Sequence, residues 1–293
     1  MNLVLTVLEI VAPVFFLASI GFIWVKLGYE YRIEFVTKLA MTLSVPALIF
    51  TALMKTEIDP QALTTLSLAS VAGYGAITIL AFLAVKLGKL DIRTYLAPLI
   101  FGNTGNLGLP LALFAFGDEG LGYAVVVFAV MAIWSFTFGI WIVAGGGSLM
   151  KVAKEPLVGA TLLGALFLWQ GWETPRFMTN TLELIGQLAI PLMLITLGVA
   201  VARLKSSGLG RAVWMSLLKT ALTVSIGWAV GVAFGLSPVP FAVLVLQLST
   251  PVAVTSYLLA EKYGADSNAV AGLVVTSTLT AVATIPLTLA FLV

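Results

Sequence analysis

Ten apolar runs, divided by short stretches that carry charge, glycine or proline, occupy nearly all of this 293-residue chain. A helix needs about 20 apolar residues to cross the hydrocarbon core of a bilayer. Most of the runs have that length, and only 10% of the residues are charged. The pattern therefore predicts an all-α membrane protein with ten transmembrane helices, and it excludes a water-soluble globular domain.

The predicted spans begin and end at the residues that interrupt the apolar runs. The first run starts at Leu3 with no basic segment before it, so we interpret it as a true span and not as a cleaved signal peptide. The ten spans are predicted at residues 3–25, 34–54, 63–87, 95–116, 121–143, 156–172, 178–202, 212–234, 239–263 and 269–292.

Basic residues collect in the loops that follow odd-numbered spans, and cytoplasmic loops carry the excess of Lys and Arg in short-loop membrane proteins. This predicts a multi-pass protein of the plasma or inner cell membrane with both termini on the outer face. The even loops hold Lys55 and Arg176. The odd loops hold Lys26, Arg32, Lys86, Lys89, Arg93, Lys151, Lys154, Arg203, Lys205, Arg211 and Lys262.

The residue types that are missing limit the chemistry of the chain. It contains no histidine and no cysteine, which removes the commonest general base, the thiolate nucleophile and the usual metal ligands. Its net charge is only +2 and its basic residues are scattered, so no surface for nucleic acid is expected. We predict neither an enzyme nor a metal site nor a bound cofactor.

Glycine and proline recur at a nearly constant offset in the two halves of the chain, which indicates an internal repeat. We predict one repeat in residues 1–144 and a second in residues 150–293. Because each half has an odd number of spans, the second enters the membrane with opposite polarity, an arrangement typical of secondary transporters. The pairs are Pro46 and Pro191, Pro110 and Pro251, and Gly117 and Gly264, at offsets of 145, 141 and 147 residues.

Spans 4 and 9 are predicted to be interrupted in mid-membrane. Residues 102–111 combine three glycines, two asparagines and a proline, and residues 247–251 place polar side chains directly before a proline. Glycine costs about 1 kcal/mol and proline about 3 kcal/mol in a helix interior. Two interrupted helices at matching positions indicate a transport site. The alternative is that these residues only kink packed helices.

An interrupted helix exposes N-terminal N–H groups that suit an anion and C-terminal carbonyls that suit a cation. An anionic substrate therefore needs no buried lysine at this place. Neutral side chains around the interruptions would add hydrogen bonds. The predicted substrate-binding residues are Asn103, Thr104, Asn106, Pro110, Gln247, Ser249, Thr250, Pro251 and, on span 5, Ser135.

Four charged residues fall inside predicted spans: Glu9, Lys38, Glu183 and Lys219. Intramembrane charges are functional candidates, but each lies near enough to a membrane face to extend towards it, and we expect this above all of the two lysines. No carboxylate lies at either interruption. For coupling to Na⁺ or H⁺ the candidates are therefore Asn103, Gln247, Thr276, Thr280 and Glu183.

The motifs GNTGNLGLPL at residues 102–111, QLSTPVAVTSYLLAEKYGAD at residues 247–266, and the STLT and TIPL segments of span 10 resemble the auxin efflux carrier family, which includes bacterial malonate and malate permeases. The resemblance covers the whole chain. It implies the fold of bile-acid sodium symporters and sodium/proton antiporters, in which spans 4 and 9 cross. Spans 3–5 and 8–10 would form a transport domain, and spans 1, 2, 6 and 7 a scaffold that makes a homodimer.

The resemblance and the interrupted spans together predict a secondary transporter that moves a small organic carboxylate by an elevator-type mechanism. One alternative is a sodium- or proton-coupled symporter of a bulkier anion, such as a bile-acid-like molecule. A channel is less compatible with interrupted helices, which suit alternating access.

The predicted orientation can be tested with single cysteines, since the natural chain has none. Glu119→Cys, before span 5, is expected to react with a membrane-impermeant maleimide added outside cells. Lys89→Cys, after span 3, is expected to react only after permeabilisation. The reverse pattern of labelling would invert the orientation.

Overall fold

The computed structural model describes residues 3–55, 60–145, 156–203 and 209–292. Lys151, Lys154 and Lys205 lie outside these ranges, and so do the side chains of Glu9 and Lys262. The described chain is helical, with turns and one isolated antiparallel bridge. Its α-helices are α1 (Leu3–Lys26), α2 (Ile33–Leu39), α3 (Val45–Lys55), α4 (Pro60–Leu87), α5 (Ile92–Ile100), α6 (Leu109–Trp134), α7 (Ile140–Ala144), α8 (Pro156–Gln170), α9 (Arg176–Gln187), α10 (Ala189–Arg203), α11 (Leu209–Ala233), α12 (Pro238–Leu248), α13 (Val254–Tyr263) and α14 (Ser267–Leu292).

Six helical stretches of the described chain are long and apolar enough to cross a membrane, so the chain has the character of a multi-pass membrane protein. Every predicted span falls on one helix or on consecutive helices, but the number of ten crossings and the inverted repeat stay predictions. The six stretches are Ile33–Lys55, Gln61–Leu87, Thr104–Ala144, Arg176–Arg203, Gly210–Ala233 and Ser267–Leu292.

Large apolar side chains cover the outside of the helices. Phe16, Trp169 and Leu287 are each more than 60% exposed, and they belong to a much larger set of exposed aliphatic and aromatic residues. A soluble monomer rarely exposes a continuous apolar surface of this kind. Lipid tails are the solvent that fits it.

Two prolines coincide with breaks inside long helical stretches. Pro46 is the second residue of α3 and follows a π-helical turn at Ala40–Ser44. Pro191 lies in the first turn of α10, four residues after Gln187, where α9 ends. Proline has no N–H to donate and its ring collides with the carbonyl four residues earlier, which explains both breaks.

Gly117 divides α6 into two legs, because its φ of 65° and ψ of −157° are not helical. The bend lies at the predicted boundary between spans 4 and 5. Gly264, its predicted counterpart, has a φ of 69° between α13 and α14. Only glycine adopts this region readily, so both positions require it.

The helices pack in two sets. In the first set, α1 packs along α10, and α3 packs against α8 and α9. In the second set, α11 packs along α14 and α12, and α12 also packs against α6 and α4. The sets correspond to the expected scaffold and transport domains, a division that stays a prediction.

Arg93 connects the ends of three helices in the second set. From the first turn of α5, its Nε donates to the carbonyl of Val143 at 3.1 Å, and its Nη2 donates to the carbonyl of Tyr263 at 2.6 Å. These carbonyls belong to the last turns of α7 and α13 and have no partner within their own helices. The guanidinium therefore holds α5, α7 and α13 together at one end.

The contact between α1 and α10 depends on two glycines. A Cβ on Gly21 would overlap the carbonyl of Ile195, and a Cβ on Gly198 would overlap the carbonyl of Ala18. Small residues that let helix backbones approach closely are the usual device for packing helices in lipid.

Gly198→Ala is expected to push α1 and α10 apart and to lower the free energy of unfolding by about 1–3 kcal/mol, the usual cost of overpacking. Thermal unfolding of the purified protein in detergent measures the effect. Gly75→Ala is the matched control, because nothing lies within 4 Å of a Cβ at that helical position. Equal melting temperatures for the two variants would contradict the proposed close contact.

Candidate functional site

Two helices stop in the interior of the molecule, and the chain after each stop runs extended beside the other. α5 ends at Ile100 and α12 at Leu248. The backbone N–H of Asn103 donates to the carbonyl of Pro251 at 2.7 Å, and that of Ala253 donates to the carbonyl of Phe101 at 3.4 Å. We call residues 101–103 and 250–253 the paired segments. Every one of their residues is buried.

The local sequence explains why both helices stop here. Pro251 has no N–H for another turn of α12, and it disfavours a helical conformation at Thr250. Gly102 lies so close to Thr250 that a Cβ would overlap the threonine hydroxyl. Gly108 in the same way leaves space for the side-chain amide of Gln247. Glycines in or just after the first paired segment thus lie against polar groups in or just before the second.

The helices that resume after the paired segments begin with unused donors. The N–H groups of Thr104, Gly105 and Asn106 donate no hydrogen bond within the described chain, and neither do those of Val254 and Thr255. A helix N-terminus also carries a partial positive charge. Two such ends at one place form an environment that suits an anion.

A cavity of about 40 Å³ lies at these N-termini. Asn106 contributes from one side, and Val254 and Thr255 from the other. The remaining wall comes from α2, the π-helical turn after it, and α10, so both sets of helices line the cavity. The wall residues are Ile33, Thr37, Ala40, Met41, Met193, Thr196, Leu197 and Ala200.

Asn106 is the predicted substrate-binding residue that lines this cavity. Thr37, Thr196 and Thr255 also line it, and sequence reasoning missed them. Thr255 lies only four residues after Pro251, so the span 9 motif offered a signal for it. Thr37 and Thr196 lie on other spans, and no local pattern distinguishes them from threonines that bond their own helix.

Three other predicted residues are buried with unused polar atoms. Nδ2 of Asn103, Oγ1 of Thr104 and Oε1 of Gln247 have no hydrogen-bond partner among the residues that the structure describes. Nε2 of Gln247 makes a long contact, 3.4 Å, with the carbonyl of Ala124. Buried polar atoms are nearly always paired in folded proteins. These atoms are therefore available to a ligand, an ion or water.

Ser249 and Thr250 do not present their hydroxyls to the cavity. Oγ of Ser249 donates to the carbonyl of Leu246 at 2.9 Å, and Oγ1 of Thr250 donates to the carbonyl of Gln247 at 2.8 Å. Both hydroxyls therefore satisfy the C-terminal end of α12. Their place is at the interruption, as predicted, but their hydrogen bonds are with the backbone.

The two predicted prolines differ in position. Pro251 lies within a paired segment, whereas Pro110 lies in the first turn of α6, after the helix has resumed. Of the two, only Pro251 follows the end of a helix, and their pairing within an internal repeat stays a prediction. Pro110 follows the π-helical turn at Thr104–Gly108 in a continuous helical stretch and does not end a helix.

The hydroxyls predicted on spans 10 and 5 have separate roles. Oγ1 of Thr276 lies 2.9 Å from Oγ of Ser216 on α11, and Thr280 donates to the carbonyl of Ser277 at 3.0 Å. Ser277 itself accepts the N–H of Val252 at 3.0 Å, so it supports a paired segment. Ser135 begins a π-helical turn at Ser135–Gly139.

The charged residues predicted inside spans differ in burial and in their partners. Lys219 is 2% exposed, and its Nζ donates to the carbonyl of Thr250 at 2.9 Å. The expectation that it extends to a membrane face was wrong, because its side chain points inward to a paired segment. Lys38 is exposed on α2. Glu183 pairs with Lys55 where α9 packs on α3.

Comparison with known proteins gives a match to a family model and to several relatives. The sequence model for membrane transport proteins matches residues 6–152 and 145–289. An uncharacterized transporter of Methanocaldococcus jannaschii is 25% identical over 284 residues, which cover 90% of this chain and 92% of the relative. A Rhizobium meliloti protein named "Putative malonate transporter" is 23% identical over 301 residues, covering 94% of this chain and 92% of that protein.

Gly102→Ala tests the contact between the paired segments. Its Cβ would overlap Thr250, so we expect the segments to separate and the melting temperature to fall by the equivalent of about 1–3 kcal/mol. Differential scanning fluorimetry in detergent measures the change. Gly210→Ala, at a position with open space around it, provides the control. A Gly102→Ala variant as stable as the natural protein would show that the segments do not touch.

Proposed function

Because the chain belongs to the membrane transport protein family, we propose that it is a secondary transporter of a small organic carboxylate anion. The family match covers nearly the whole chain, and the relatives named above are transporters and not enzymes. The resemblance inferred from the sequence motifs is thereby confirmed at the level of the family. The substrate and the mechanism are our proposals.

The observation that carries the proposal is the pair of helix N-termini beside one cavity. The unused N–H groups of residues 104–106 and of residues 254 and 255 belong to helices that resume on either side of the paired segments. Helix dipoles and free N–H groups favour negative charge without a basic side chain. In this arrangement Asn106 and Thr255 supply the neutral side chains at the cavity.

A small carboxylate is the substrate class that we favour for two reasons. The Rhizobium meliloti relative carries malonate in its name. The cavity is also much smaller than the roughly 300–1,000 Å³ of pockets that hold drug-sized ligands. A bile-acid-like anion would need a far larger opening, so we rank a coupled symporter of a bulkier anion second.

The proposed mechanism is an elevator-type movement between the two sets of helices. The set formed by α4–α7 and α11–α14 contains the paired segments and would move as the transport domain. The set formed by α1–α3 and α8–α10 would be the scaffold and form a homodimer. The cavity lies between the sets, so sliding one along the other would open it to each side of the cell membrane in turn.

Asn103→Ala and Asn106→Leu are the variants that test this function. Each removes an amide at the resumed helix, and a loss of roughly tenfold or more in transport is expected if the amide bonds the anion. Uptake of radiolabelled malonate and other mono- and dicarboxylates into proteoliposomes is the measurement. Asn180→Leu, at an exposed position on α9, serves as the matched control.

The comparison is made at equal amounts of folded protein, judged by size-exclusion profile and melting temperature. Absence of uptake and of counterflow for every carboxylate in the natural protein would disprove the proposed substrate class. Undiminished uptake in both asparagine variants would disprove the proposed site.

A further inference from the structure

Lys219 places a positive charge at the interruption that follows α12. It lies near the middle of α11, its side chain is 2% exposed, and Nζ reaches the carbonyl of Thr250 at 2.9 Å. Thr250 is the second residue after α12 and belongs to a paired segment. The ammonium therefore lies against the backbone of the interruption itself.

The end of α12 is the negative end of a helix dipole. Its last carbonyls need donors from outside the regular helix. The hydroxyls of Ser249 and Thr250 supply two hydrogen bonds, to the carbonyls of Leu246 and Gln247. Lys219 supplies a third, charged one at the carbonyl of Thr250, two residues beyond the helix. In discontinuous transporter helices, such C-terminal carbonyls and unwound backbone are where Na⁺ is coordinated.

Lys219 has no carboxylate partner in the described chain, whose ion pairs are Arg32 with Glu30 and Lys55 with Glu183. Its helix packs most closely against α4, α12 and α14. Among the side chains of these three helices, the ionisable ones are Tyr74 and Lys86 of α4. The helix dipole and the Thr250 carbonyl are thus its only described counterparts.

We propose that the Lys219 ammonium is a resident cation that occupies the cation position at the carbonyl end of α12, so that the protein works without Na⁺. The inference rests on the proposed function only for its transport consequence. The positive charge is fixed to the helix set that contains the paired segments, and it would move with that set beside the bound anion. Lys219 would thus supply the positive charge that a bound Na⁺ supplies in a sodium-coupled symporter.

The first test needs no substrate. Melting temperatures of the purified protein are compared in NaCl and in choline chloride at equal ionic strength. We expect the natural protein to melt at the same temperature in both salts. A specific stabilisation by Na⁺ would overturn the proposal, because it would reveal a cation position that Lys219 does not fill.

Lys219→Ala and Lys219→Met separate charge from packing. Methionine keeps most of the apolar stem, and alanine leaves space for a small cation. Both variants are expected to melt at lower temperature in choline chloride. n-Butylammonium chloride or NaCl should restore the melting temperature of Lys219→Ala and not that of Lys219→Met. Lys38→Ala, which removes an exposed lysine from α2, controls for a general effect of charge.

Two results would contradict a resident cation. One is a Lys219→Met variant as stable as the natural protein, and the other is a Lys219→Ala variant that no cation stabilises. If Lys219→Ala does not fold, Lys219→Arg takes its place, since it keeps the charge and should retain sodium-independent stability.

Malonate uptake into proteoliposomes gives the second readout. The natural protein should transport at the same rate in NaCl and choline chloride, and Lys219→Ala should lose roughly tenfold or more in choline chloride, the effect of one lost charge-assisted hydrogen bond. Sodium-dependent uptake by the natural protein would overturn the inference. Absence of any carboxylate uptake would disprove the proposed function alone, because the melting experiments decide the role of Lys219 independently.

Discussion

A backbone group buried at membrane depth must find a partner inside the protein, and this constraint governs the centre of the molecule. Two helices stop there, and each stop frees carbonyls and N–H groups that water cannot reach. The hydrogen bonds from Asn103 to Pro251 and from Ala253 to Phe101 satisfy part of this need, and Ser277 satisfies the N–H of Val252. The two interruptions therefore depend on each other, since either one alone would leave its extended residues without partners.

The C-terminal and N-terminal helix ends at the paired segments differ in how far their backbone groups are hydrogen-bonded. At the C-terminal end of α12, Ser249 and Thr250 donate to the carbonyls of Leu246 and Gln247, and Lys219 donates to the carbonyl of Thr250 just beyond the helix. The N-terminal ends at Thr104 and Val254 keep unused donors and face a cavity. The unused N–H groups suit an anion at the N-termini, whereas the Lys219 ammonium already lies at the carbonyl side of the interruption. The proposed anionic substrate and the proposed independence from sodium thus rest on the same arrangement of helix ends.

Much of this was predictable from the sequence, because apolar length and helix-breaking residues are local signals. The span predicted at 34–54 corresponds to Ile33–Lys55, and the span predicted at 269–292 lies within Ser267–Leu292. The interruptions at Gly102 and Pro251 follow from residue type alone. The π-helical turns at Ala40–Ser44 and Ser135–Gly139 were not predicted, since apolar spacing does not distinguish them from regular helix. Lys219 was misjudged because distance from a membrane face says nothing about which way a side chain points.

The two halves of the chain differ at one revealing position. Tyr74 on α4 precedes Lys219 on α11 by 145 residues, the offset that separates Pro46 from Pro191. Under the proposed repeat, a neutral hydroxyl in one half corresponds to an ammonium in the other, and both side chains are buried. Two buried ammonium groups without carboxylates would repel each other and would each need desolvation. One cation costs less and still supplies a positive charge to the helix set that would carry an anion, so the charge asymmetry fits the sodium-independent anion carrier that we propose.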